Sequence, residues 1–99
     1  MTFPEYLHNW ITKAEEDLTL VDHEMHLEES KWITNAIGFH CQQAVEKLLK
    51  AFLIANEKEP EKTHNLEKLL VEAGKVNSSL LDIDLADLTD FAVDSRYPV

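Results

Sequence analysis

The segment Trp32–Ala55, WITNAIGFHCQQAVEKLLKAFLIA, decides the fold class because it is long, mostly apolar and free of proline. On a helical wheel its apolar side chains form one wide arc, with Phe39 and Leu53 extending apolar surface to the far side. The arc consists of Ile33, Ile37, Ala44, Leu48, Ala51, Phe52 and Ala55. A helix that is apolar on several sides needs several neighbours, and so we expect this one to lie at the centre of the fold.

The N-terminal segment predicts a second long helix. Its apolar residues recur at intervals of three or four, which is the period of one helix face. They are Leu7, Trp10, Ile11, Ala14, Leu18, Val21 and Met25. Thr2 and Pro4 suit the cap and the first turn of such a helix. The acidic residues between the stripe positions predict a solvated face, made of Glu15, Glu16, Asp17, Asp22 and Glu24.

Two shorter helices are expected after the central one. Residues 56–62 are charged and contain Pro60, which predicts a loop. Thr63 is the expected cap of a third helix that ends at Gly74, and a fourth helix is expected from about Leu80 or Asp82 to Pro98. Their buried positions are predicted to be Leu66, Leu69, Leu70 and Ala73, and then Leu81, Leu85, Leu88, Phe91 and Ala92. The prediction is an all-α protein, an antiparallel up-and-down bundle of about four helices in one domain over residues 1–99.

The composition supports helices and excludes other classes of protein. With 99 residues, only two Gly and three Pro, the chain has few residues for the turns of a sandwich or barrel. Leu occurs 14 times, against six Val and five Ile, which favours helices over strands. No apolar stretch is long enough to span a membrane, and the N-terminus lacks the pattern of a signal peptide. The single Cys41 excludes an intramolecular disulfide framework, and we expect a cytoplasmic protein.

Charge is unevenly distributed along the chain. The net charge of −10 disfavours non-specific binding to RNA or to an anionic membrane. Residues 40–68, however, carry five Lys and five Glu, so the whole excess of negative charge lies outside them. Within this stretch a polar ribbon borders the apolar arc of the central helix, at spacings of three, four and three: His40, Gln43, Lys47 and Lys50.

The ribbon has two interpretations. Basic side chains beside an apolar face often only extend to water, and a histidine there is usually a core residue with a satisfied hydrogen bond. Thr63 and His64, however, open the third helix, where free backbone N–H groups point outward, and Arg96 lies at the end of the fourth. If these elements converge, the ribbon, His64 and Arg96 form a phosphate pocket.

Other patterns in the sequence give weaker evidence for a functional site. His23 and His26 could supply two zinc ligands, but no third ligand follows at a fixed spacing, and exposed histidines on an acidic face are ordinary. Ser95 lacks the glycine-flanked turn that presents a hydrolase nucleophile, and the two glycines are isolated, which excludes a phosphate loop. We therefore predict no metal site, no cofactor and no catalytic residue.

Four segments in order resemble the HEPN domain family. FHCQQAVEKLLKAFL, residues 39–53, resembles the signature helix of that family. THNLEKLL, residues 63–70, is similar to its Thr-His-x-Leu opening of the third helix, and DSRYP, residues 94–98, resembles its Ser-Arg-Tyr-Pro ending. NWITKAEEDL, residues 9–18, is similar to its first helix. Together the segments extend the resemblance over nearly the whole chain.

The resemblance implies a helical bundle that is commonly dimeric and is named for proposed nucleotide binding. Small prokaryotic members are often encoded beside a minimal nucleotidyltransferase, and many such pairs act as toxin and antitoxin. Other members are metal-independent ribonucleases, in which an Arg pairs with a His four to six residues later across the dimer. Arg96 matches that Arg, but no such His follows it before Val99. The family also usually continues into a further helix, which we expect this domain to lack.

Three functions are weighed against each other. The favoured one is a homodimeric nucleotide-binding module that works with a separate nucleotidyltransferase, in which the nucleotide contacts are His40, Gln43, Lys47, Lys50, His64 and Arg96. The alternatives are a ribonuclease toxin with a degenerate site, where His40 or His64 replaces the missing base, and a structural dimer without a ligand. The net charge favours a single nucleotide over RNA as the ligand. Trp32 and Phe39 are expected at the dimer contact, because they lie off the main arc.

Overall fold

In the computed structural model, which describes residues 2–86 and residue 88, helices are the only regular secondary structure. The three α-helices among these residues are α1, Phe3–Met25, α2, Thr34–Ala55, and α3, Leu66–Val76. Two short 3₁₀-helices, Glu29–Lys31 and Ser78–Asp82, follow α1 and α3. The described residues contain no strand, which confirms the all-α prediction for them.

The N-terminus of α1 is capped by the residue that the sequence predicts. The Thr2 hydroxyl accepts a hydrogen bond from the backbone N–H of Glu5 at 3.3 Å, and the Glu5 carboxylate accepts one from the backbone N–H of Thr2 at 3.2 Å. This reciprocal capping box satisfies two N–H groups that the helix leaves unpaired, and Pro4 occupies the first turn, where no N–H is needed. The predicted cap is confirmed.

The central position of α2 is confirmed, since it packs against both α1 and α3. Near its N-terminal half His40 contacts Asp17 of α1, and near its C-terminal end Lys50 lies against Trp10. Residue numbers therefore fall along α1 as they rise along α2, so the two helices are antiparallel.

The predicted apolar arc of α2 is partly wrong. Leu53, which the wheel placed on the far side, is 2% exposed, whereas Leu48 of the arc is 43% exposed and Ile33 is 62% exposed. Ala44 and Ala51 are buried as predicted. The buried face of α2 also includes three polar residues at spacings of four, which a search for apolar periodicity leaves out: Gln42, Glu46 and Lys50.

The hydrophobic core joins the C-terminal half of α2 to α3. It comprises Leu49, Leu53, Leu66, Leu69, Leu70, Ala73 and Leu85. The predicted buried positions of the third helix are thus all confirmed. The stripe of α1 is only partly buried: Ala14 is fully buried, but Leu18 and Met25 are exposed.

The third helix is shifted relative to the prediction. Its cap is Asn65, whose side-chain oxygen accepts a hydrogen bond from the backbone N–H of Lys68 at 3.1 Å, and not Thr63. It also continues through Gly74 to Val76. Gly74 is buried inside the helix, where a Cβ atom would lie 2.6 Å from Cγ of Leu81. This glycine therefore permits a close approach and does not end the helix.

The fourth α-helix does not begin at Leu80 or Asp82, because Ser78–Asp82 is a 3₁₀-helix and residues 83–85 are not helical. Leu85 is buried as predicted, whereas Leu81 is exposed. The rest of the predicted fourth helix lies outside the described residues, except Leu88, which packs against the core. Within the described part of the chain, every helix is too short or too polar to cross a lipid bilayer.

The loop predicted over residues 56–62 is confirmed, and its first residues close α2. The backbone N–H of Lys58 donates to the Leu53 carbonyl at 2.8 Å, and that of Glu57 donates to the Ile54 carbonyl at 3.0 Å. These bonds form a Schellman motif, in which Glu57 adopts a positive φ of 60°. Such motifs usually have glycine at this position.

Candidate functional site

Asp17 is a buried carboxylate at the contact between α1 and α2. Its Oδ2 lies 2.6 Å from the ammonium nitrogen of Lys47, and its Oδ1 lies 2.8 Å from Nδ1 of His40. The prediction that Asp17 belongs to a solvated acidic face is therefore wrong. Ala14, one turn earlier, and Ala44 on α2 are both fully buried, and their small side chains allow the helices to approach closely enough to cover Asp17.

Glu46 is a second buried carboxylate, on α2 itself. It accepts hydrogen bonds from Nδ1 of His64 at 2.8 Å, from Nε2 of Gln42 at 3.1 Å and from the ammonium of Lys50 at 3.2 Å. Gln42 also donates to the backbone carbonyl of His64 at 3.3 Å. Glu46 and Gln42 thereby fix the segment before α3 against the middle of α2.

We refer to the side chains around these two carboxylates as the two-carboxylate cluster, which comprises Asp17, His40, Gln42, Gln43, Glu46, Lys47, Lys50 and His64. Gln43 joins it by donating to the side-chain oxygen of Gln42 at 2.7 Å. The five predicted site residues that the structure describes all belong to the cluster. Arg96, the sixth, lies outside the described residues.

Exposure differs strongly among the basic members of the cluster. The side chain of Lys50 is only 9% exposed, and its ammonium lies 5.5 Å from the ring centroid of Trp10, in addition to its bond to Glu46. The His64 side chain is 59% exposed, while those of His40 and Lys47 are intermediate. Lys50 is thus placed to support Glu46 and Trp10, whereas His64, His40 and Lys47 retain contact with solvent.

The carboxylates also determine the tautomer of both histidines. A carboxylate oxygen accepts hydrogen bonds and has no proton to donate, so Nδ1 of His40 and of His64 must carry the proton. In the neutral rings Nε2 then holds the lone pair. Nε2 of a neutral ring can accept a proton, as a general base does, and Nε2 of a protonated ring can donate a hydrogen bond to an anion.

A cavity of about 300 Å³ lies beside the cluster. It is lined by Tyr6, Asn9, Trp10 and Lys13 of α1 and by Lys47 of α2. Lys47 therefore belongs both to the cluster and to the wall of this cavity. A smaller cavity of about 120 Å³ lies near the other end of α1 and is bordered by His40.

Sequence reasoning missed the three residues that organise the cluster, namely Asp17, Gln42 and Glu46. The spacing of four between Gln42, Glu46 and Lys50 is a usable signal, because residues four apart on a helix lie next to each other. Asp17 gave no comparable signal, since its partners are 23 and 30 residues away. In the described residues, no buried side-chain nitrogen or oxygen lacks a hydrogen-bond partner.

The remaining candidate residues that the structure describes have ordinary surroundings, and Ser95 lies outside the described residues. Nδ1 of His26 lies 2.7 Å from the backbone carbonyl of Asp22, and no group of three or more His, Cys, Asp or Glu side chains within the described ranges could hold a metal ion. Desolvation by burial raises the pKa of the Cys41 thiol above its ordinary value of 9.0, which makes it a weak nucleophile.

Comparison with known proteins gives one clear result. The family model of the HEPN domain matches residues 7–99, which is nearly the whole chain. No curated protein and no solved structure matches it. The match covers all three α-helices except the first turn of α1, together with the whole of the two-carboxylate cluster. The chain therefore belongs to the HEPN domain family.

Proposed function

We propose that this protein is a nucleotide-binding module whose phosphate contacts come from the two-carboxylate cluster. Membership of the HEPN domain family suggests a role related to nucleotides or RNA. The observation that carries the proposal is the arrangement around Asp17 and Glu46, which hold three basic side chains of α2, His40, Lys47 and Lys50, and His64 from the segment before α3, in a chain of net charge −10. Such prepositioned hydrogen-bond donors bind an anion at a lower entropic cost than mobile surface lysines.

Lys47 is the central contact in this proposal. A lysine ammonium has three N–H donors, and the bond to Asp17 uses one of them. The other two can donate to phosphate oxygens on the side of the 300 Å³ cavity, which Lys47 borders. His40, held by the same carboxylate, supplies a second contact, and His64 and Gln43 supply others from the Glu46 side of the cluster.

Lys50 and Arg96 have separate roles. We assign Lys50 to holding Glu46 and Trp10 in place, because its side chain is almost completely covered. Arg96 remains a predicted phosphate contact that rests on the resemblance of its surrounding segment, Asp94–Pro98, to the family's Ser-Arg-Tyr-Pro ending.

Calorimetric titration with ATP tests the proposal. We expect wild-type protein to bind ATP and Lys47→Gln to lose about 10- to 150-fold in affinity, the range for one charge-assisted hydrogen bond. Lys75→Gln is the matched control, because Lys75 is an exposed lysine of α3 whose ammonium lies 3.0 Å from the Glu72 carboxylate. Absence of ATP binding by the wild type, or equal affinity in the two lysine variants, would contradict the proposal.

A homodimer is part of the proposed function. Ile33 at the start of α2 is a large apolar side chain that is 62% exposed, and it directly follows Trp32, one of the two residues predicted at the contact. An isologous contact would cover this region, and we keep Trp32 and Phe39 as its predicted members. Light scattering should give twice the chain mass of 11.4 kDa, and Ile33→Glu should return the protein to a monomer. A wild-type mass of 11.4 kDa would contradict the dimer.

The proposed partner is a minimal nucleotidyltransferase in a toxin–antitoxin-like pair. Its support is the resemblance to small members of the family, which are often encoded beside such an enzyme. Co-expression with a short nucleotidyltransferase encoded in the neighbouring reading frame tests it. The two proteins should copurify through size-exclusion chromatography, and separate elution would contradict the partnership.

A ribonuclease is the second candidate, and His64 is the observation that favours it. Its ring is mostly exposed, and Glu46 fixes the proton on Nδ1, so that Nε2 can act as a general base. If this function is correct, the protein should cleave a short fluorogenic RNA, and His64→Ala should abolish cleavage. His23→Ala is the control, since His23 is an exposed histidine near the C-terminal end of α1.

A further inference from the structure

The cavity of about 300 Å³ beside α1 has a composition that is unusual for this chain. Its lining combines two aromatic rings, Tyr6 and Trp10, with two lysines, Lys13 and Lys47. Three other cavities in the described residues each include at least one carboxylate, from Glu24, from Glu15 and Glu16, or from Glu61, Glu67 and Glu72. Each lysine has a carboxylate partner outside the wall, Asp17 for Lys47 and Glu16 for Lys13. In a protein with 19 acidic and nine basic residues, a wall that presents lysines and no acid favours an anionic ligand.

Helix geometry brings these residues together. Tyr6, Asn9, Trp10 and Lys13 follow one another at spacings of three, one and three, which places them on one face of α1. Tyr6 and Trp10 make an edge-to-face contact, with ring centroids 6.4 Å apart and an angle of 84° between the planes. The ammonium of Lys50 lies against the Trp10 ring and helps to hold it. The aromatic part of the wall is therefore ordered by its own contacts.

The cavity is an open groove whose size favours a small ligand. A volume of about 300 Å³ is at the lower end of the range for small-molecule sites, and it suits one ring system better than a run of nucleotides. Aromatic side chains bind nucleobases by stacking, and lysines bind phosphate as point charges. Lys47 belongs to both this wall and the two-carboxylate cluster, so a ring in the cavity would lie next to the proposed phosphate contacts.

We infer that this cavity takes the base of a single nucleotide against Tyr6 and Trp10, with Lys13 and Lys47 binding its phosphates. The inference rests on the proposed function and adds to it a base subsite on α1. It assigns roles to Tyr6, Trp10 and Lys13, which the apolar and polar patterns of the sequence did not single out for binding. The exposed ion pair of Lys13 with Glu16, 3.7 Å long, is weak enough for a phosphate to replace it.

Fluorescence of Trp10 gives a direct test. The chain has two tryptophans, and Trp32→Phe leaves Trp10 as the only one. This variant should be titrated separately with ATP, with tripolyphosphate and with adenosine. We expect ATP to change the Trp10 emission and to bind at least tenfold more tightly than either tripolyphosphate or adenosine, because only ATP fills both subsites.

Substitutions in the same background separate the two subsites. Tyr6→Ala should weaken ATP about 5- to 150-fold, the range for one base–aromatic stack, and should leave tripolyphosphate unchanged, whereas Tyr6→Phe should keep ATP affinity. Phe3→Ala is the matched control, because Phe3 is an exposed aromatic residue of α1 outside the cavity lining. Lys13→Gln should weaken ATP and tripolyphosphate to the same degree and leave adenosine unchanged.

The possible failures can be told apart. If ATP and tripolyphosphate bind equally and Trp10 emission does not change, the phosphate site stands and the base subsite is overturned. If neither ATP nor tripolyphosphate binds, the proposed function fails and the base subsite fails with it. Equal loss of ATP affinity in Tyr6→Ala and Phe3→Ala would also overturn the subsite, since it would show a general effect on α1.

Discussion

Asp17 is a buried acid on a helix whose neighbouring acids, Glu15, Glu16 and Asp22, face solvent. It offsets the charge of Lys47 and orients His40, and both bonds bring α1 and α2 together. A buried charge of this kind depends on its partners, because removal of one partner leaves the other charge uncompensated. Asp17 and Glu46 are therefore the two residues whose loss should most disturb the cluster.

Replacing Asp17 by Asn should cost about 1 to 3 kcal/mol in the free energy of unfolding, because it removes the charge that Lys47 and His40 require. The matched control is Asp22→Asn on the same helix, whose contact with His26 is exposed and 3.6 Å long, and which should cost less than about 0.5 kcal/mol. Urea denaturation measures both. Equal stability of the two variants would show that Asp17 contributes no more than a surface acid.

Cys41 should react slowly with alkylating reagents in the folded protein. Burial raises the pKa of its thiol above 9.0, so at pH 8 less of the reactive thiolate is present than in an unfolded chain. The raised pKa means that the alkylation rate should keep increasing as the pH passes 9.0. Iodoacetamide kinetics against pH, with and without urea, measure this. The same pH profile in both conditions would contradict the burial of the thiol.

At the residue scale, the sequence predicts several members of the two-carboxylate cluster but not the carboxylates that hold them. His40, Gln43, Lys47 and Lys50 follow the spacing of a helix face, and the family resemblance adds His64, so the sequence alone is enough to select these five. Asp17 could not be selected, because its burial comes from the approach of a second helix far away in the chain. An acid between other acids on an amphipathic helix has the same local pattern whether or not a neighbouring helix covers it.

At the element scale, the buried face of α2 sets the stability of the fold. Leu53→Ala should cost about 2 to 5 kcal/mol, because Leu53 lies in the core with Leu66 and Leu69 and its loss leaves a cavity. Leu48→Ala makes the same chemical change on the same helix at a half-exposed position and should cost less than about 1 kcal/mol. Thermal denaturation measures both variants. A lower melting temperature for Leu48→Ala than for Leu53→Ala would contradict the observed packing.

The end of α2 offers a stabilising substitution. Glu57 has a φ of 60°, a conformation that costs an ordinary residue free energy and that glycine adopts readily. Glu57→Gly should therefore raise the free energy of unfolding by about 0.5 to 1 kcal/mol. This figure is the backbone strain that glycine relieves, minus the stability lost because glycine gives the unfolded chain more conformational freedom. Glu59→Gly, in the same loop but without a positive φ, should give no gain. An equal or lower stability of Glu57→Gly would contradict the strain.

The existence of α1, α2 and α3 follows from local signals, but their exact faces and ends do not. The capping box of Thr2 and Glu5 and the leucines of α3 are local features, and the cap at Thr2 and the burial of those leucines are predicted correctly. The buried face of α2 is not, since it combines Leu49 and Leu53 with charged Glu46 and Lys50, which a wheel of apolar residues assigns to solvent. Ser78–Asp82 has a helical apolar pattern too, and its 3₁₀ geometry is not encoded in that pattern.

At the scale of the whole molecule, three helices contribute separate parts to one region. α1 supplies the aromatic wall and Asp17, α2 supplies the lysines, His40 and Glu46, and the residues before α3 supply His64. In this region three lysines, Lys13, Lys47 and Lys50, outnumber two carboxylates, Asp17 and Glu46, whereas the whole chain has a net charge of −10. This separation favours a small anion that meets only the local patch over a long polyanion that meets the whole surface.

Mapping of ATP binding on the backbone amides by heteronuclear NMR tests the central claim most directly. Titration of ATP into isotopically labelled protein should shift the signals of residues 6–13 and 40–50 and of His64, because these contain the aromatic wall and the two-carboxylate cluster. Lys58, Lys62 and Lys68 are an internal control, since they could attract ATP by charge alone. Shifts confined to these three lysines, or no shifts at all, would contradict the account.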